Sequence, residues 1–242
     1  MPRAKPLNER LLSRHYPTFI GAVGECVLAG DPGDSALATA LPSVTKDRQV
    51  TIAAPLGDMR GDAGTGALRK AMDTPGASRD LRCASVLALA KRCGASASAD
   101  FAQALASSDF AVKSYALRCL AGAGDDRAWD AVLKRLNHLV GQPRENSRDL
   151  TDVAIALGYL ARHIAAAGSS RSITLVTWIR AHWDRLTKVE RQWLGDHWPG
   201  CVPTGGEAAS VAPPAAESIR QAVRGPLFDA PAFEHDEVSL HD

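Results

Sequence analysis

Residues 109–136 read DFAVKSYALRCLAGAGDDRAWDAVLKRL, and this stretch decides the fold. Asp109 has a side-chain oxygen able to accept from the unpaired amides of a helical first turn, worth about 1 kcal/mol at such a position. Val112, Ala116 and Leu120 follow at helical spacing. Gly124-Asp125 then offers a residue that ends a helix by taking a left-handed conformation, before Leu133 and Leu136 open a second apolar stripe. The stretch is a helix, a turn and a helix.

Working outward, the same punctuation recurs at a spacing of 31 residues. Asp47, Ser78 and Asp109 each precede an apolar-periodic segment and are expected to be N-caps. Three residues after each comes Val50, Leu81 or Val112, followed by Thr51, Arg82 or Lys113, and ten residues after each comes Gly57, Ala88 or Cys119. A small residue at a fixed depth is what close stacking of successive helices requires. Gly30-Asp31, Gly61-Asp62, Gly94 and Gly124-Asp125 mark the intervening turns. Further on, Gly141 to Glu145 enlarge a turn, Asn146 is expected to cap the next helix with Ala156 in the small position, and Thr187 with Glu190 forms a capping box.

The run Asp109, Val112, Lys113, Ala116, Leu120, Gly124, Asp125, Arg127, Ala128, Leu133, Leu136 resembles the HEAT-repeat family, particularly its short bacterial and phycobilin-lyase-type forms. The resemblance covers residues 30–165 and extends to 7 and 197 by helical pattern. It implies an all-α fold, an α-α superhelix or solenoid of about six HEAT-like helical hairpins. Paired helices are expected at 7–15 and 18–29, 34–42 and 47–60, 64–74 and 78–93, 97–107 and 109–122, 125–139 and 146–165, and 170–186 and 187–197. Pro55, inside one of them, should kink it or shift its start. The organisation is thus a flexible N-terminus (1–6), a solenoid (7–200) and a disordered, Pro/Ala-rich acidic tail (201–242).

Composition agrees with closely packed helices. The chain has 242 residues, 45% of them hydrophobic but only 5% aromatic, so Ala, Leu and Val must build the core. A net charge of +1 conceals about +6 between Arg48 and Gly200 and about −5 from Cys201 onward. The five cysteines show neither CxxC spacing nor histidines at zinc-ligand spacing, and read as reduced, mostly buried thiols of a cytoplasmic protein. Residues 16–29 are apolar behind Arg3, Lys5, Arg10 and Arg14, but Pro17 and Glu25 interrupt a secretory-leader reading. No run approaches the roughly 20 apolar residues of a membrane span.

The resemblance further implies that the second helix of each pair lines a concave face. Arg48 and Arg79 then form one column and Arg82 and Lys113 another, a basic stripe suited to an acidic protein surface or a phosphate backbone. The competing reading puts Arg82 and Lys113 in contacts between neighbouring repeats. A second cluster holds Trp178, Trp183, Trp193 and Trp198 with His182, His197, Asp184 and Asp196. HEAT-like alkylpurine DNA glycosylases place tryptophans beside an aspartate in a basic cleft, and Asp184 would be that aspartate. Against this, Leu175, Ile179, Trp183 and Leu186 suit a buried stripe, with Trp193 and Trp198 sealing the last repeat.

No metal or cofactor site is expected, since Glu234, His235, Asp236 and Glu237 read as a solvated charge run, and Gly61, Gly64 and Gly66 lack the context of a phosphate loop. The functional expectation is a non-enzymatic scaffold with a protein partner and a tail that tunes its surface. The alternative is a nucleic-acid-binding protein or DNA glycosylase.

Overall fold

The computed structural model describes residues 5–142, 147–164 and 169–203. The N-terminal four residues, the expected cap Asn146, the turn residues Pro143 to Glu145 and the tail from 204 onward lie outside them. All regular elements among the described residues are helical. The described residues divide into two compact units, one up to Val132 and one from Leu133.

In the first unit four hairpins follow one another: α1 (Leu7–Leu11) with α2 (Tyr16–Ala29), α3 (Asp31–Ala40) with α4 (Lys46–Leu56), α5 (Asp62–Asp73) with α6 (Arg79–Cys93), and α7 (Ser98–Ala104) with α8 (Phe110–Ala123). First helices stack on first helices, α1 on α3 and α3 on α5, and second on second, α4 on α6 and α6 on α8. This two-layer stacking is the helical-repeat architecture expected, because one hairpin cannot bury both its apolar faces alone.

The 31-residue signals have direct structural counterparts. Ser78 Oγ accepts from the Leu81 amide at 3.1 Å, and Asp109 Oδ1 accepts from Ala111 and Val112 at 2.8 and 3.3 Å. Leu81 and Val112 are buried. A Cβ built on Gly57 would lie 2.9 Å from Ala88 Cα, so the small column marks the place where α4 and α6 backbones meet. Gly30 and Gly94 end their helices at positive φ (66° and 53°). Gly61 and Gly124 keep negative φ.

Three expectations change. Thr45, not Asp47, occupies the N-cap of α4, and its side chain makes no capping bond. Asp47 sits inside the first turn, where the Thr45 hydroxyl, chiefly, and the Asp47 and Arg48 amides hold its carboxylate below the ordinary range. Pro55 leaves the start of α4 in place and closes its last turn, with Gly57 and Asp58 amides bonding Ala54 and Pro55 carbonyls. Several helices are shorter than the apolar pattern, because 3-10 turns at Leu41–Ser43, Gly94–Ala97, Asp126–Ala128 and Trp183–Arg185 take over their ends.

Helix α9 (Trp129–Gly141) carries the boundary between the units. The second unit adds α10 (Ser147–Arg162), α11 (Ser169–Ala181) and α12 (Lys188–His197), then a 3-10 turn at Pro199–Cys201 that packs on α11 and α12. Cys201 is buried there, so packed structure continues past Gly200. Thr187 and Glu190 form the expected capping box, the Thr187 amide donating to Glu190 Oε2 at 2.8 Å and the Glu190 amide to Thr187 Oγ1 at 3.2 Å.

Candidate functional site

Three residues of the expected basic stripe, Arg48, Arg79 and Arg82, bond to neighbouring hairpins. Arg48 donates to the carbonyls of Ser13 and, at 2.8 Å, Arg14, and its guanidinium lies 4.9 Å from the Phe19 ring centroid. Arg79 pairs at 2.8 Å with Asp109, the N-cap of the next repeat's second helix. Arg82 donates to the Met72 carbonyl at 2.9 Å and to Ser107 Oγ at 3.1 Å. Lys113, on α8, is half-buried. Arg69 with Asp100, 3.0 Å apart, and Arg127 with the Ala95 carbonyl, also at 3.0 Å, extend the same pattern. Arginine suits this task because its rigid fork reaches two acceptors at once.

The ladder has a buried node. Asp34 is fully buried on α3, and the Arg92 side chain is 4% exposed at the end of α6. Arg92 Nη1 donates to Asp34 Oδ1 at 2.8 Å and also to the Leu56 carbonyl, while Arg92 Nε donates to Thr65 Oγ1 at 2.8 Å. The Gly64 amide donates to Asp34 Oδ2, again at 2.8 Å. One ion pair therefore ties α3, α4, α5 and α6 together. A methyl at Gly64 would fall 2.5 Å from Asp34 Oδ1 and 2.7 Å from Arg92 Nη1, so only glycine fits.

Between the hairpins fastened in this way lies a groove of about 510 Å³, opening where the α3–α4 and α5–α6 turns run side by side. Its floor includes the buried Leu41, Ala71 and Leu81, and among the described residues that line it Lys46 and Lys70 carry the formal charges. A second groove of about 500 Å³ shares Val44 and Thr45 with the first and reaches Leu12 and Arg14 at the end of α1. Sequence reasoning missed both, because a turn's outer surface depends on its neighbour's position. The nearest signal is a pair of prolines, Pro42 and Pro75, in successive turns.

In the second unit the tryptophans part company. Trp178 is buried, stacks on His182 with ring centroids 4.4 Å apart, and donates its indole N–H to Asn137 Oδ1. His182 Nδ1 lies 2.9 Å from the Trp178 carbonyl. Trp198 is buried, whereas Trp183 and Trp193 are half-buried and Asp184 is exposed. Leu175, Ile179 and Leu186 are buried together with Leu194. Arg135 and Asp152 make a second buried ion pair, at 3.7 Å.

The thiols are free. Burial pushes Cys83 up to about 11 and Cys119 and Cys201 up to about 12, which suppresses the reactive thiolate. No group of three or more His, Cys, Asp or Glu side chains suited to a metal ion occurs among the described residues. No helix among them is long and apolar enough to cross a membrane.

No family model and no curated protein matches the sequence. Among solved structures, an engineered protein from a structural genomics consortium is similar, at 19% identity over 89% of this chain and 96% of that one, with a TM-score of 0.49. A designed armadillo repeat protein in complex with the peptide (KR)4 is similar at 12% identity over 89% and 97% of the two chains, with a TM-score of 0.48. Another designed armadillo repeat protein gives 12% identity over 90% and 98%, with a TM-score of 0.46.

Proposed function

We propose that this chain is a non-enzymatic, HEAT-like scaffold of the cytoplasm that binds a protein partner along the turn edge of its first unit. One observation carries the reading: the groove of about 510 Å³ between two successive hairpin turns, lined by the buried Leu41, Ala71 and Leu81. A preformed groove with an apolar floor loses little conformational freedom on binding. The arginines at 48, 79 and 82 serve this surface indirectly, by fastening each hairpin to the next.

The reading is tested by placing the photo-crosslinker benzoylphenylalanine at Ala67 or Thr74, which line the groove, and at Ala99, exposed on α7, in the full chain. Irradiation in cytosol of the host cell is expected to give one discrete polypeptide adduct from the two groove positions and none from Ala99. Absence of a groove-specific adduct overturns the proposal. An adduct lost on nuclease treatment replaces it with nucleic-acid binding.

A further inference from the structure

The two grooves on the turn edge have a chemistry that selects their occupant. They adjoin through Val44 and Thr45, so together they form a track across three successive hairpin ends, from Leu12 and Arg14 to Thr74 and Ser78. A track of this kind suits a ligand that is long and narrow. A compact metabolite would fill one groove and leave the other wet, whereas an extended peptide advances about 3.3 Å per residue and can run the length of both.

Charge then narrows the class of peptide. Lys46, in the first turn of α4, and Lys70, on α5, are exposed and line the larger groove from two successive hairpins. Neither is in an ion pair among the described residues, in contrast to Arg69 and Arg79 beside them. The acids adjacent in sequence, Asp47 and Asp73, are outside the lining of this groove. Asp47 lines the smaller groove together with Arg14 and Arg48, and the Arg48 guanidinium is already committed to two carbonyls. The larger groove is also lined by the buried apolar Leu41, Ala71 and Leu81 and by Thr45, Thr74 and Ser78. An apolar lining with an uncommitted ammonium group from each of two hairpins matches a peptide that pairs an apolar side chain with flanking carboxylates, since the burial supplies affinity and the charges supply register.

We infer that the track takes an extended peptide carrying Asp or Glu on either side of an apolar anchor. The acids meet Lys46 and Lys70, and the anchor seats on Leu41, Ala71 and Leu81. This assignment rests on the scaffold reading above and adds to it the chemistry of the partner.

The test is an arrayed library of random peptides of about eight residues, probed with the full chain at about 50 mM salt, where surface charges are weakly screened. Bound peptides are expected to be enriched in Asp and Glu flanking Leu, Ile, Phe or Met. The best of them is then titrated by fluorescence anisotropy against the wild type, the double variant Lys46→Glu/Lys70→Glu and the control Lys188→Glu on α12. The double variant should weaken binding about tenfold and the control should leave it unchanged. Circular dichroism and thermal melting establish that each variant is folded. Probed with the double variant, the library should lose its acidic preference and keep its apolar one, a readout that misfolding cannot produce. Enrichment of Lys and Arg, enrichment without charge bias, or an empty array overturns the inference. A groove-specific crosslink to a partner segment lacking acids overturns it too, while leaving the scaffold reading in place.

Discussion

Asp34 and Arg92 stand 58 residues apart in sequence and 2.8 Å apart in space, with 0% and 4% of their side chains exposed. Charges so far from water persist only when paired and hydrogen-bonded, and here Thr65, Leu56 and Gly64 supply further bonds to the pair. The pair joins two consecutive hairpins at one point, which makes it a position where the first unit is sensitive to substitution.

Arg92→Met keeps the length and apolar stem of the side chain but strands the Asp34 carboxylate in the core. Removing one partner of such a pair costs about 3–5 kcal/mol. Urea denaturation followed by circular dichroism should show the loss in the transition assigned to the first unit. A change within about 0.5 kcal/mol would mean that the pair does not hold the hairpins.

Two glycines two residues apart on α5, and so on nearly opposite faces of the helix, should respond oppositely to alanine. Gly64→Ala drives a methyl into the ion pair, so its cost should approach that of Arg92→Met, about 3 kcal/mol. Gly66 is exposed on the same helix with nothing within 4 Å of its added Cβ, and Gly66→Ala should stabilise by about 0.5–1 kcal/mol. Opposite shifts of the melting temperature are the expected result.

The Asp109 carboxylate is held below its ordinary range by Arg79 first, then by the amides of Val112 and Ala111. Because the folded state lowers this pKa, the interaction stabilises above the unfolded value of 3.8 and is lost as pH falls through the lower, folded value. Asp109→Asn preserves the cap and removes the charge. The urea midpoints of variant and wild type should therefore differ at neutral pH and converge as the solution is acidified below that range. A gap that is independent of pH would assign the effect to something other than the ion pair.

Cysteine alkylation offers a map of the packing. Cys83, Cys119 and Cys201 are buried with thiols pushed up to about 11, 12 and 12, while Cys93 is half-exposed at the end of α6. At about pH 8 iodoacetamide should modify Cys93 first and the other four, the buried Cys26 included, only as fast as the protein opens, since the thiolate is the nucleophile. Mass spectrometry at timed intervals distinguishes the sites, and early modification of Cys119 would contradict the packing of α8 on α6.

The sequence alone determined what depends on a residue and its near neighbours along the chain. The caps Ser78, Asp109 and Thr187, the apolar stripes and the small column of Gly57 and Ala88 are local or strictly periodic, so spacing exposes them. Asp47 misled because a capping residue and a first-turn acid look alike in sequence and differ by a shift of two positions. What the tertiary structure decided are the relations between repeats. Arg48, Arg79 and Arg82 share their sequence signature with a basic binding stripe, and only the placement of Ser13, Asp109 and Met72 shows where their guanidiniums point. Asp34 with Arg92, and the groove rimmed by Lys46 and Lys70, join residues from different hairpins. Such pairings carry no period, because each follows from how far one hairpin is displaced on the next.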